Sequence, residues 1–90
     1  MVAYFNLIYN YLVVFLRGEF MYFKRIEELR ADNDKTQQDI ADLLNCQREV
    51  YRRYEKGTRE IPVSYLIILA KYYQCSVDYI LGLTNQKRIR

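Results

Sequence analysis

No histidine occurs in the 90 residues of this sequence. That absence removes imidazole metal ligands and histidine-dependent acid–base or nucleophilic catalysis. Cysteine is nearly as scarce: Cys46 and Cys75 stand far apart, form no C-x-x-C pair and cannot complete a zinc site by themselves. Each sits where the pattern wants a small apolar side chain, so buried, reduced thiols and a cytoplasmic location are expected. There is no glycine-rich phosphate loop and no convincing catalytic cluster, so neither a cofactor, a metal nor a catalysed reaction is expected. Only three glycines and one proline interrupt the chain. With 51% hydrophobic and 28% charged residues, it belongs to the globular, mostly helical class, and its length allows one hydrophobic core.

Charge is missing from residues 1–16, an apolar and aromatic run broken only by Asn6 and Asn10. The run is shorter than the roughly 20 residues of a membrane span, and it lacks the basic start and cleavage site of a signal peptide. Three readings stay open. Arg17-Gly18-Glu19 is encodable as AGG-GGA-GAA, a purine-rich sequence resembling a ribosome-binding site just before Met21, so residues 1–20 can be translated upstream sequence. With a start at Met21 no membrane contact is expected. Alternatively, residues 1–16 form a membrane-surface or partner-binding helix, which would make the protein a membrane-associated interaction module, or an element that extends the core. The expected division is 1–20 as hydrophobic extension, 21–83 as the domain and 84–90 as a basic, frayed tail.

From Met21 onward helical spacing takes over. Phe23, Ile26 and Leu29 predict a first helix from Tyr22 to Ala31, ended by Asp32-Asn33-Asp34. Thr36, with Asp39 three residues on, predicts a capping box for a second helix whose apolar face is Ile40, Leu43 and Leu44. Asn45 tolerates the left-handed backbone of a sharp turn that buries Cys46, and a third helix should run from Gln47 to Lys56 and stop at Gly57. Pro62 opens a fourth helix with an inner stripe of Leu66, Leu69, Ala70 and Tyr73. Ser76 caps a last helix from Val77 to Leu81 that stops at Gly82.

The third helix carries Val50, Tyr51 and Tyr54 on one face and Gln47, Arg48, Glu49, Arg52 and Arg53 on the other. Net charge is only +3, but Arg48, Arg52, Arg53, Lys56 and Arg59 are dense here while most acids lie upstream. A one-sided positive potential of this kind is the footprint expected for phosphate; a solvated helix face is the alternative. The polar residue types also suit base edges, since Arg pairs with guanine, Gln with adenine, and Glu accepts from cytosine. Tyr51 and Tyr54 are expected in the core, whereas Tyr65, Tyr72, Tyr73 and Tyr79 either pack at its rim or line a partner surface.

The run Thr36-Gln-Gln-Asp-Ile-Ala-Asp-Leu-Leu-Asn-Cys-Gln-Arg-Glu-Val-Tyr-Arg-Arg-Tyr-Glu-Lys-Gly57, followed by Pro62, Leu69-Ala-Lys and Ser76-Val-Asp-Tyr-Ile-Leu-Gly82, resembles the Cro and phage-repressor-like (XRE) family of helix-turn-helix proteins. The resemblance spans Tyr22 to Leu83. It departs at Asn45, where the family usually has glycine, and at Lys35, where an apolar residue is more common. It implies a compact all-α, lambda-repressor-like domain of five helices that binds double-stranded DNA and regulates transcription, by repression, with helix Gln47–Lys56 in the major groove. By the same resemblance, Gln47, Arg48, Glu49, Arg52 and Arg53 read or approach bases; Gln37, Lys56, Thr58 and Arg59 contact phosphate; and Arg30 and Glu55 form an internal ion pair. A homodimer on a pseudo-palindromic operator is expected, with Leu81 and Leu83 as candidate contacts. An antitoxin that binds a toxin partner and autoregulates its operon is the rival within the same fold.

Overall fold

A computed structural model describes residues 22–88 together with Leu12; residues 1–11, 13–21 and 89–90 lie outside the described residues, and with them most of the hydrophobic extension and the end of the tail. Five helices and no strand occur among the described residues: α1 (Lys24–Asp32), α2 (Gln37–Leu43), α3 (Arg48–Lys56), α4 (Val63–Tyr73) and α5 (Val77–Leu81). α1 starts two residues later than its apolar spacing suggested. Phe23 leaves the helical conformation at φ −112°, ψ 89°, and no side chain caps the helix there. Its C-terminal end is closed by Asn33, whose amide donates to the Leu29 carbonyl at 2.8 Å, and by Asp34 at φ 55°.

The start of α2 carries the complete reciprocal cap. Asp39 N–H donates to Thr36 Oγ1 at 3.0 Å, and Thr36 N–H donates to Asp39 Oδ2 at 2.9 Å. Two backbone donors that a seven-residue helix cannot satisfy internally are thereby paired. Thr36→Ala is expected to cost about 1 kcal/mol of global stability, read from urea denaturation; an unchanged midpoint would show that α2 is held by packing alone.

Asn45 adopts φ 55°, and the chain reverses so that Cys46 N–H reaches the Ala41 carbonyl at 2.9 Å. Gln47 is the residue before α3 rather than its first turn. Ile40 and Ala41 of α2, with Leu44 just after it, meet Tyr51 and Tyr54 from α3, all buried, with Ala41 and Tyr51 wholly without exposure. Alanine at that point permits close approach of the two helices. Leu43, expected on the apolar face, is instead exposed, because Ile40, Ala41 and Leu44 already fill the narrow stripe that a helix this short presents. Cys46 is half-buried and Cys75 buried, and both are free thiols.

Gly57 ends α3 at φ 75°, and a Cβ built there would stand 3.0 Å from the Tyr22 Cβ, so the left-handed conformation and the close approach both require glycine. Pro62 precedes α4, whose Leu66, Leu69, Ala70 and Tyr73 face the core as their spacing indicated. Ser76 Oγ accepts from Tyr79 N–H at 3.0 Å to cap α5, and Gly82 ends it at φ 82°. The tail is not frayed through Lys87. Ser76 N–H donates to the Lys87 carbonyl at 2.9 Å, and the Arg25 guanidinium of α1 donates to the carbonyls of Tyr79 and Thr84 and to Asn85 Oδ1 while stacking 4.0 Å from the Tyr79 ring centre. A polar tail folds back here because these groups supply partners that water would otherwise provide.

Candidate nucleic-acid interface

The outer surface of α3 follows from its inner one. Once Tyr51, Tyr54 and Glu55 are buried, helical spacing turns Arg48, Glu49 and Arg53 into solvent and leaves Arg52 half-exposed. Gln47 is exposed at the start of the helix and Lys56 at its end. Thr58 and Arg59 continue the same surface in the loop: Thr58 N–H donates to the Arg53 carbonyl at 3.1 Å, and the Arg59 guanidinium stands 6.0 Å from the Tyr54 ring centre. The burial of the Cys46 thiol raises its pKa and the positive charge of Arg59 opposes that rise, so the loop and the α2–α3 turn share one electrostatic neighbourhood.

On this surface the charges are not equivalent. Arg52 Nε donates to Glu49 Oε2 at 3.0 Å and its Nη2 to Oε1, a two-point fork across one helical turn. Arg53 Nε lies 3.5 Å from the same Oε1. Hydrogen bonds from Arg52 hold the Glu49 carboxyl below the usual carboxylate range. Arg48 forms no ion pair among the described residues; with Lys35, Thr36, Gln38, Arg30 and Gln37 it lines an open depression of about 540 Å³ between α2 and α3.

Behind this face lies the one buried charged residue among the described residues. Glu55 is 1% exposed and receives Arg30 Nε at 2.6 Å and Arg30 Nη2 at 3.2 Å, while Arg30 Nη1 donates to the Lys35 carbonyl. Gln37, a phosphate contact on the family resemblance, has its side-chain amide donated to Glu55 Oε1 at 3.1 Å, so its donor points into the fold. Burial alone would raise the Glu55 carboxyl; the Arg30 hydrogen bonds and charge, with Gln37, outweigh it and hold the group below its ordinary value. The Tyr51 hydroxyl faces this carboxylate and favours its charged form, yet it falls short of hydrogen-bond geometry. Its oxygen and that of Tyr73 are buried without a partner among the described residues, and burial pushes both phenols upward.

Sequence spacing did not anticipate Gln37 as a third member of this cluster, nor Arg25 as the clamp on the tail. The Arg25 contacts join residues 54 to 60 positions apart, beyond the reach of local periodicity. The Gln38–Asp42 hydrogen bond at 2.8 Å on the exposed side of α2 has a local signal, the i,i+4 spacing of an amide and a carboxylate. Among the described residues no group of histidine, cysteine, aspartate and glutamate side chains could hold a metal, and no helix is long and apolar enough to cross a membrane.

Two short helices joined at a left-handed asparagine, the second presenting a cationic face and both braced by three others, define a helix-turn-helix domain of the repressor-like type. The chain belongs to the helix-turn-helix family HTH_3, which it matches over residues 26–80, and so to the Cro and phage-repressor-like class. It is 38% identical over 65 residues to YobD, an uncharacterized HTH-type transcriptional regulator of Bacillus subtilis, covering 72% of this chain and 58% of the relative. It is 34% identical over 64 residues to the HTH-type transcriptional regulator AnsR of the same organism, covering 71% and 55%. It is also 32% identical over 53 residues to the cryptic phage CTXphi transcriptional repressor RstR of Vibrio cholerae, covering 59% and 48%. The chain thus spans only about half to three-fifths of the length of these curated relatives. No solved structure matches it significantly.

Proposed function

We propose that this domain binds double-stranded DNA with α3 in the major groove and represses transcription in the cytoplasm by occupying an operator. The observation that carries this reading is the α3 surface: Gln47 just ahead of the helix and Arg48, Glu49, Arg52 and Arg53 on it stand outward, while its opposite face is tied to α1 and α2 by the buried Glu55 and its partners Arg30 and Gln37. A reading helix needs that rigidity, because a base contact is useful only when its donors arrive in a fixed orientation. In this reading Arg48 and Arg53 contact guanine edges, Gln47 lies within reach of a neighbouring base, and Lys56, Thr58 and Arg59 grip the backbone. Gln37 acts at the edge of the phosphate surface while its side chain steadies Glu55.

One α3 covers a half-site, so two copies on a pseudo-palindrome, about one helical turn apart, are the expected assembly. Half-buried Leu81 and Leu83, and the exposed Val63, Ile67 and Tyr72 of α4, offer apolar surface for the second copy. Selection of random duplexes by the full chain tests the reading, and a pseudo-palindromic preference is the expected result. Lys56→Ala should then weaken all sequences alike and lower the log–log salt slope by about 1, as loss of a phosphate contact requires. Salt-sensitive binding with no sequence preference, or no binding, would overturn direct readout and bring forward the toxin-binding alternative.

A further inference from the structure

The family resemblance implies a base-reading role for Glu49, yet its carboxylate is already occupied. Arg52 holds both oxygens, and Arg53 approaches the one that Arg52 Nη2 uses. Of the three arginines on α3, only Arg48 is free of an ion pair among the described residues. All of these groups are substantially solvent-accessible, with 54% of the Glu49 side chain exposed, so the pairs are exchangeable and not structural locks.

Building on the DNA-binding reading above, we propose that Glu49 is a specificity-positioning residue: it holds Arg52 and Arg53 in intrahelical ion pairs that a guanine–cytosine step, but not the phosphate backbone alone, can replace. The chemistry is asymmetric. A phosphate drawing Arg52 away leaves the Glu49 carboxylate with only the longer Arg53 contact, at 3.5 Å, in a field of negative charge, which opposes the exchange. A step that presents guanine O6 and N7 to an arginine and a cytosine N4 amino group to Glu49 satisfies both members of the broken pair. Glu49 therefore suppresses adhesion to arbitrary duplex and selects sequences carrying a cytosine amino group beside a guanine edge.

Glu49→Gln keeps the size and removes the charge. In the full chain it should tighten binding to a random-sequence duplex and steepen the salt dependence by about one counterion, which makes the affinity loss between roughly 50 and 200 mM salt about threefold larger. The ratio of selected-site to random-site affinity should fall. In an Arg52→Gln, Arg53→Gln background the same substitution should change random-duplex affinity far less, because the groups through which Glu49 acts are gone. In the free protein the Arg52 Nε–H resonance should report a charged hydrogen bond that disappears in Glu49→Gln. An unchanged or weakened random-duplex affinity in the single variant overturns the proposal, as does an equal effect in the two backgrounds or an Arg52 resonance insensitive to the substitution. A wild-type chain that binds no duplex under any of these conditions overturns the DNA-binding reading itself, an outcome visible before any variant is compared.

Discussion

Glu55→Ala is expected to remove about 3 kcal/mol of folding stability at neutral pH, at the lower end of the 3–5 kcal/mol typical when one partner of a buried ion pair is deleted. The loss comes from what is left behind. Glu55 is 1% exposed, and without it the Arg30 guanidinium loses the fork at 2.6 and 3.2 Å while Gln37 loses its acceptor. Arg30 keeps 17% of its side-chain exposure, so water can recover part of its solvation; this favours the lower end of the range. Against a typical domain stability of about 5–15 kcal/mol, such a change leaves a marginal fold.

The pH dependence has a definite sign. Because the folded state holds the Glu55 carboxyl below its ordinary value, the contribution is fully present above the unfolded carboxyl range and is lost as acid carries the pH down through the lowered folded value. Glu55→Gln should therefore flatten the acid limb of the stability curve, and a paired Arg30→Met, Glu55→Leu variant should recover much of the loss by packing without charge. Urea denaturation at neutral and acid pH measures all three. A Glu55→Ala chain within about 1 kcal/mol of wild type would mean that this cluster does not tie α1 and α2 to α3.

Arg48→Ala and Arg53→Ala are expected to relax base preference by about 5- to 150-fold, each at its own position in the half-site, the range of one lost bidentate guanine contact. The two should differ in character. Arg48 makes no ion pair among the described residues and is ready for a base edge, whereas Arg53 shares the Glu49 carboxylate at 3.5 Å and must leave it. Loss of Arg48 should therefore weaken the selected site most, and weaken random duplex by the contribution of one unpaired cation. Loss of Arg53 also releases Glu49 toward Arg52 alone, so its effect on random duplex should be smaller than removal of an unpaired cation would give. Selection on random duplexes with each variant reads both quantities. Equal weakening of every sequence by either substitution would demote that arginine to a backbone contact.

Much of the domain is legible in the sequence itself. Thr36 with Asp39, Ser76, Asn45, Gly57 and Gly82 mark helix boundaries through interactions that close within about four residues, and each behaves in the structure as its type indicated. The core stripes of α3 and α4 were equally plain, since Tyr51, Tyr54, Leu66, Leu69, Ala70 and Tyr73 recur at the spacing of a buried face. Even the order of the helices and the outward turn of Arg48 and Arg53 follow from that periodicity.

Packing decided the rest. Leu43 has the spacing of a core residue and is exposed because its neighbours already fill the contact with α3. The side chain of Gln37 could serve phosphate or the interior; only the arrival of Glu55, 18 residues later, draws its amide inward. Arg25 looks like an ordinary surface cation until α5 and the tail converge on it, and Glu49 has the residue type of a base reader until its rotamer joins two arginines. The division follows the range of the forces involved. Capping and amphipathic spacing act along a few residues and are written in sequence order, whereas the choice among several possible partners for a polar side chain is settled only when distant segments are brought within hydrogen-bond reach and water is excluded between them.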